Sequence, residues 1–251
     1  MNSHSMVLLH WPDIVALSYM LIVWITYAYY AKQRAKRGDK QSLSHSMRLH
    51  RVKWVSQILK RENRVTDASL LASQERVVGF FASATLILLA AVFAAVSASA
   101  QIAALTHELP LSVIQNTTQV QTKFILIAVV LIYAFFEITW SLRQYGFVAV
   151  LMGTAPMPED NLSDEDLAGF AQQMARLLDI AGHDNNAGLR AYYFCLAMVF
   201  WILNPYVYIA ATTLIVTVLA RREFKSRTVQ TLESALYQPS PKKSQPKETN
   251  H

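Results

Sequence analysis

Four long stretches of the chain are predominantly apolar, and polar segments separate them. Residues 14–31, 77–100, 124–150 and 192–219 each hold 18 or more residues, about the length a helix needs to cross a bilayer. The first reads IVALSYMLIVWITYAYYA, with no formal charge. Trp11, Tyr27, Tyr29 and Tyr30 sit at its ends, where interfacial rings settle, and a basic stop, KQRAKRGDK, follows. The second is uncharged for 24 residues and rich in Ala and Ser. Small residues let helix backbones approach closely where lipid supplies no hydrophobic drive, so this run is expected in the middle of a bundle. The third lies within a 31-residue segment, 123–153, longer than an upright span. It is expected to tilt or to extend past the bilayer. The fourth carries Asn204-Pro205 near its middle, where the lost backbone donor predicts a kink.

Between the runs the pattern changes. Leu43, Met47, Trp54, Ile58 and Val65 recur at helical spacing, and Lys and Arg occupy much of the remaining surface. That predicts an amphipathic helix over 44–75, lying on a membrane face or against partner helices. Ser163 can cap a second one over 163–182, with Asp164, Glu165 and Asp166 in its first turn. Leu167, Phe170, Met174, Leu177, Leu178 and Ala181 give it one apolar face, and Gly182 with the HDNNAG run is expected to end it. Residues 101–121 form a polar connection containing His107, Glu108 and Pro110. The Asn116-Thr117-Thr118 sequon in it is too frequent by chance to carry weight. The expected architecture is all-α: a polytopic membrane protein, a four-transmembrane-helix bundle with amphipathic cytoplasmic helices. It fills one domain, 1–230, and residues 231–251 form a disordered basic tail.

Composition agrees. The chain of 251 residues is 53% hydrophobic, has mean hydropathy +0.23 and is only 16% charged, against about 25% in an ordinary soluble domain. Net charge is +6, and residues 32–76 hold 12 of the 23 Lys and Arg. Beside apolar spans such charge faces anionic headgroups or sets topology, and no nucleic-acid signature accompanies it. Cys195 is the single cysteine, so no intrachain disulfide or Cys-based metal site is available. Topology carries an internal conflict. Placing the 12 bases in the cytoplasm puts both termini of a four-span chain outside, yet seven bases lie in 221–251. A last helix that turns back at Pro205 would dissolve it.

Chemistry is sparse. Glu137, Arg143 and Gln144 interrupt the third run, and ionisable groups at membrane depth are costly and hence functional candidates. Glu137, Trp140 and Gln144 share a helical face, and Arg143 lies off it. Asn204 and Pro205 join them as pathway candidates, because broken helices line ion sites in transporters. Arg61, Glu62, Asn63, Arg64, Asp67 and, further along, Arg190 are read as a structural polar cluster. Arg64 and Asp67, three apart, are expected to pair, and the acidic 159–166 segment is the nearest candidate partner for that group. His183 and Asp184 beside the acids do not make a metal site, and no metal or other cofactor is expected. There is no HExxH, no GxSxG and no Gly-rich phosphate loop, so the reading leans away from an enzyme.

The segments SLSHSMRLHRVKW, RENRVTDASLL, FFASATLILL, WSLRQ at 140–144, GTAP at 153–156, GLRAYYF at 188–194 and RREFKS at 221–226 resemble the DUF599 family of bacterial and plant integral membrane proteins. The resemblance covers residues 10–230. It implies a four-helix membrane domain and no activity, since the family's function is unassigned. Three function classes follow. One is an oligomeric channel or transporter for an ion or small solute. The alternatives are a membrane scaffold or accessory subunit, and an interfacial membrane enzyme. Expected partners are anionic membrane lipids and further copies of the chain or a protein complex, and the expected location is a bacterial inner (plasma) membrane.

Overall fold

The structure, a computed structural model, describes residues 8–36, 43–106, 108–109, 111–224 and 227–236. They form α1 (Trp11–Lys36), α2 (Leu43–Ile58), α3 (Val65–Ser97), α4 (Ser99–Thr106), α5 (Thr117–Gly153), α6 (Asp164–Trp201), α7 (Pro205–Phe224) and α8 (Arg227–Leu236). A 3-10 turn at Pro158–Asp160 precedes α6. No strand occurs among the described residues, and the all-α expectation holds. Three helices are long and apolar enough to cross a membrane, over Trp11–Ala31, Val65–Ser97 and Thr117–Gly153, rather than four. Their outward faces carry exposed Ile25, Phe80, Ile87, Val129 and Phe136, while the inward faces hold the core. That surface suits lipid rather than water.

The expected fourth span, 192–219, is two helices. α6 stops at Trp201, and α7 begins at Pro205 after a three-residue turn. Pro205 therefore opens a helix instead of kinking one. Asn204 caps α7, its Oδ1 accepting from Tyr206 N (2.8 Å), while its Nδ2 donates to Leu111 O (2.8 Å). Proline disfavours a helical residue before it and fits the first helical position, which places the break here. Conversely, α6 does not end at the HDNNAG run, and the expected helix over 163–182 is its first half. The two glycines serve close packing, not termination. A Cβ on Gly182 would lie 2.5 Å from Arg51 Nη2, and one on Gly188 would lie 2.5 Å from Ile138 Cγ1 and 3.2 Å from Ala134 O. Tertiary packing outweighs the ~1 kcal/mol that a helical glycine costs.

The expected amphipathic helix over 44–75 is likewise broken. α2 ends at Ile58, and α3 starts at Val65 and continues through the second apolar run. The turn lets Val55, Ile58 and Leu59 all enter the core with Leu71 and Ala171, which one straight helix would not allow. Asn63 Oδ1 accepts from Val65 N (3.0 Å) and sets the direction of α3.

Paired contacts fix the directions. α5 and α6 are antiparallel: Lys123 Nζ donates to Trp201 O (3.0 Å) at one end, and Ser141 Oγ donates to Ala181 O (2.7 Å) nearer the other. α7 runs back along α1, with Tyr19 and Thr213 hydroxyls 2.8 Å apart and the Tyr30 and Phe224 rings at 5.5 Å. So α7 returns to the end that carries α2. There Ser44 Oγ donates to Glu223 Oε1 (2.8 Å), and His50 Nε2 lies 2.9 Å from Leu232 O on α8. The described parts of both basic segments share this basic end, and the topological conflict disappears. The far end holds α4 and the α6–α7 turn. α8 extends to Leu236 within the stretch expected to be disordered from 231. His107, Pro110 and the tail after 236 lie outside the described residues.

Candidate functional site

At the far end, Lys123 and Asp13 form a salt bridge at 2.7 Å, with side chains 1% and 4% exposed. Asp13 also accepts the Trp201 indole N–H (2.8 Å), and Lys123 donates to Gln115 Oε1 (2.7 Å) and lies over the Trp201 ring. Gln115 Nε2 in turn donates to Ile202 O (2.6 Å). Each charge meets an opposite charge and further hydrogen bonds, the condition under which a buried pair is tolerated. The network ties α1, α5 and α6 together beside the α7 turn. Sequence reasoning missed it. The available signal was a lone acid and a lone base, each at the start of an apolar run. Asn116, the sequon residue, caps α5 through a capping box with Gln119.

At the basic end the expected polar cluster is rearranged. Asp67, 1% exposed, pairs with Arg61 and not with Arg64: Arg61 Nη1 lies 2.7 and 2.8 Å from its two oxygens. Trp54 Nε1 donates to the same carboxylate (2.8 Å). Arg64 points the other way and donates to Ala155 O (2.8 Å) and Pro156 O in the GTAP segment. The reason is the turn at 59–64, which brings Arg61 over the first turn of α3. Glu62 is exposed. The acids of 159–166 do not reach this group, since Asp160 caps its own turn through Met157 N and Asp166 accepts from Ser163 Oγ. The acidic partner of the basic segment is Asp179 on α6, which meets Arg51 at 2.6 Å.

Arg190 does not join that cluster. Eleven residues beyond Asp179 on the same unbroken helix, it lies against the Tyr27 ring, with its guanidinium carbon 5.3 Å from the ring centroid. It lines a cleft of about 640 Å³ between α1, α5 and α6 with Glu137, Tyr133, His183 and Asp184. Glu137 is half-buried and lies beside Tyr133, one turn earlier on α5. Gln144 is buried and donates to Asp184 Oδ2, leaving its own Oε1 without a partner. Trp140, expected on the same face, is exposed, because its position is rotated toward the outer side of α5. Arg143 is exposed between the Trp140 and Phe147 rings. Glu137 therefore lines a cleft open along α1, Gln144 touches that cleft only through its bond to Asp184, Arg143 faces outward, and Asn204 and Pro205 are at the far end.

A second cavity, of about 800 Å³, opens at the basic end between α1, α2, α6 and α8. His183 and Arg190 belong to both walls. The first cavity reaches Glu137 in the middle third of α5 and is open at the side, where Leu21, Ile25 and Tyr29 are exposed. Neither is lined by a catalytic constellation. Cys195 is buried in the far-end core, and no group of three or more metal-ligating side chains occurs among the described residues.

The family described as protein of unknown function, DUF599, matches residues 15–228. The chain belongs to the DUF599 family. Searches of curated proteins and of solved structures return no match. For this DUF599 protein the match runs from within α1 to the start of α8, so the Asp67 node, the α7 return and the lining of both cavities except Leu232 lie within the family's extent.

Proposed function

We propose that this DUF599 protein is a channel or transporter of the bacterial plasma membrane, working as an oligomer on an ion or small solute. The observation that carries the reading is the pair of cavities sharing His183 and Arg190, one open at the basic end and one reaching Glu137. Polar side chains cluster inside an otherwise apolar bundle where a pathway needs them. In this reading the second half of α6 and α7 also insert, as a hairpin. Leu196, Val199 and Leu214 are exposed on them as Ile25 and Phe80 are on α1 and α3. The basic end then faces the cytoplasm and the anionic lipid of its leaflet. One bundle of this size encloses no complete pore, so the far half of the route is formed between copies.

The test is flux in liposomes of the purified protein, with a panel of small anions and cations. Transport reduced at least tenfold by Glu137→Gln supports the reading. Absence of flux across the panel, with the protein shown to be folded, refutes it. A second reading, a scaffold or accessory subunit, draws on the outer groove formed by Phe136, Glu137, Thr139, Trp140 and Arg143. It is favoured if native mass measurement finds a copurifying protein that Trp140→Ala releases.

A further inference from the structure

The charges around the basic-end cavity do not balance. Four arginines line it, Arg48, Arg51, Arg176 and Arg190, with His45 and His183; among the described residues Asp179 is the one carboxylate on its wall, and Glu223 stands behind the lining Ser44, accepting its hydroxyl. Asp179 is already taken by Arg51 at 2.6 Å. The Arg51 guanidinium packs against α6 at Gly182, where a Cβ would lie 2.5 Å from its Nη2. Arg48, Arg176 and Arg190 have no carboxylate within ion-pair distance among the described residues.

Arg190 is the most informative of these. It is 9% exposed, and its guanidinium lies against the Tyr27 ring with no carboxylate at ion-pair distance among the described residues, Glu223, Glu137 and Asp184 being the acids farther off around it. A buried guanidinium without a counter-anion is costly. One that lines a cavity with two further unpaired arginines is an anion site in waiting. Guanidinium groups hold phosphate through paired N–H donors, and a doubly charged oxyanion answers an excess of arginine charge better than a carboxylate does. A volume of about 800 Å³ exceeds what inorganic phosphate alone fills and lies in the range of small-molecule sites. α8 closes the side through Thr228 and Leu232, held to α2 by His50.

We propose that this cavity binds a phosphate group carried on a larger anion, either a soluble phosphorylated solute or the headgroup of an anionic lipid. This rests on the conduit reading only in naming what would enter; the site itself is tested by binding, without flux. The probe is inorganic phosphate, titrated calorimetrically into the full chain in phosphatidylcholine nanodiscs, with chloride at equal ionic strength as the comparison. Saturable phosphate binding is expected. Arg176→Gln, at an exposed position that folding does not need, should weaken it about tenfold, and Arg190→Gln should weaken it more. Arg222→Gln, a surface arginine outside the cavity, should leave it unchanged. Repeating the titration in nanodiscs containing phosphatidylglycerol separates the sources. Phosphate displaced by that lipid identifies a headgroup site, and undiminished phosphate binding identifies a soluble ligand. No saturable phosphate binding in either nanodisc, or binding equally lost with chloride or with Arg222→Gln, overturns the proposal. Flux without phosphate binding would sink this inference alone, and phosphate binding without flux would sink only the conduit reading.

Discussion

Replacing Lys123 by Met tests the far-end network most directly. The side chain keeps its length and apolar stem but loses the ammonium group. Asp13 then retains the Trp201 indole donor at 2.8 Å and a long contact from His10 N at 3.3 Å, with no cation within reach. Gln115 Oε1 and Trp201 O each lose a donor as well. Stranding one member of a buried pair costs about 3–5 kcal/mol. Asp13→Asn alone should cost about as much, because it strands Lys123. The double variant removes both charges and keeps both volumes. It should cost clearly less than the sum of the two single variants, with a coupling of about 2–3 kcal/mol. The assay is reversible denaturation in mixed micelles, read by Trp fluorescence, for the four members of the cycle. Two single variants that each cost under about 1 kcal/mol, the range of an exposed pair, would refute the reasoning. So would a double variant whose cost equals their sum.

Other outcomes follow from the same contacts. Asp67→Ala should destabilise by about 2–4 kcal/mol, since it leaves the Trp54 indole and Arg61 without an acceptor. Exchanging Arg61 and Asp67 should recover part of the loss while exchanging Arg64 and Asp67 should not, as thermal unfolding would show. Gly188→Ala should cost about 1–3 kcal/mol, because its Cβ meets Ile138 Cγ1 at 2.5 Å. Adding Ile138→Val should relieve some of that cost in the same unfolding measurement. Gly182→Ala should push Arg51 off Asp179 and, in the calorimetric titration, alter phosphate binding in the basic-end cavity. Single cysteines at Arg48 and Arg222, in a Cys195→Ala background, should be labelled by an impermeant maleimide from the same side of oriented vesicles; opposite sides would refute the return of α7.

The apolar runs were legible because their signal is local: length and high hydropathy alone commit 14–31, 77–100 and 124–150 to long helices. Their flanking basic segments and the family were legible for the same reason, as contiguous strings. What failed was everything that depends on a partner helix. A glycine pair that looks like a helix end at 182–188 is a packing device once α2 and α5 lie against it. Asn204-Pro205 looks like a kink until Leu111 and Tyr206 supply the partners of a cap. Arg61 and Arg64 are both in reach of Asp67 along the chain, and only the turn at 59–64 chooses between them. Charges separated by more than a hundred residues, Asp13 with Lys123 and Arg51 with Asp179, have no pairing rule in one dimension. The sequence by itself determined a helical chain with apolar spans and a concentration of basic residues. Only the tertiary structure decided that α7 turns back, that both basic segments share one end, and that Arg190 sits inside a cavity rather than in a surface cluster. The physical reason is that hydrophobicity sums over neighbours in the chain, whereas electrostatic pairing and close packing depend on distances that folding alone creates.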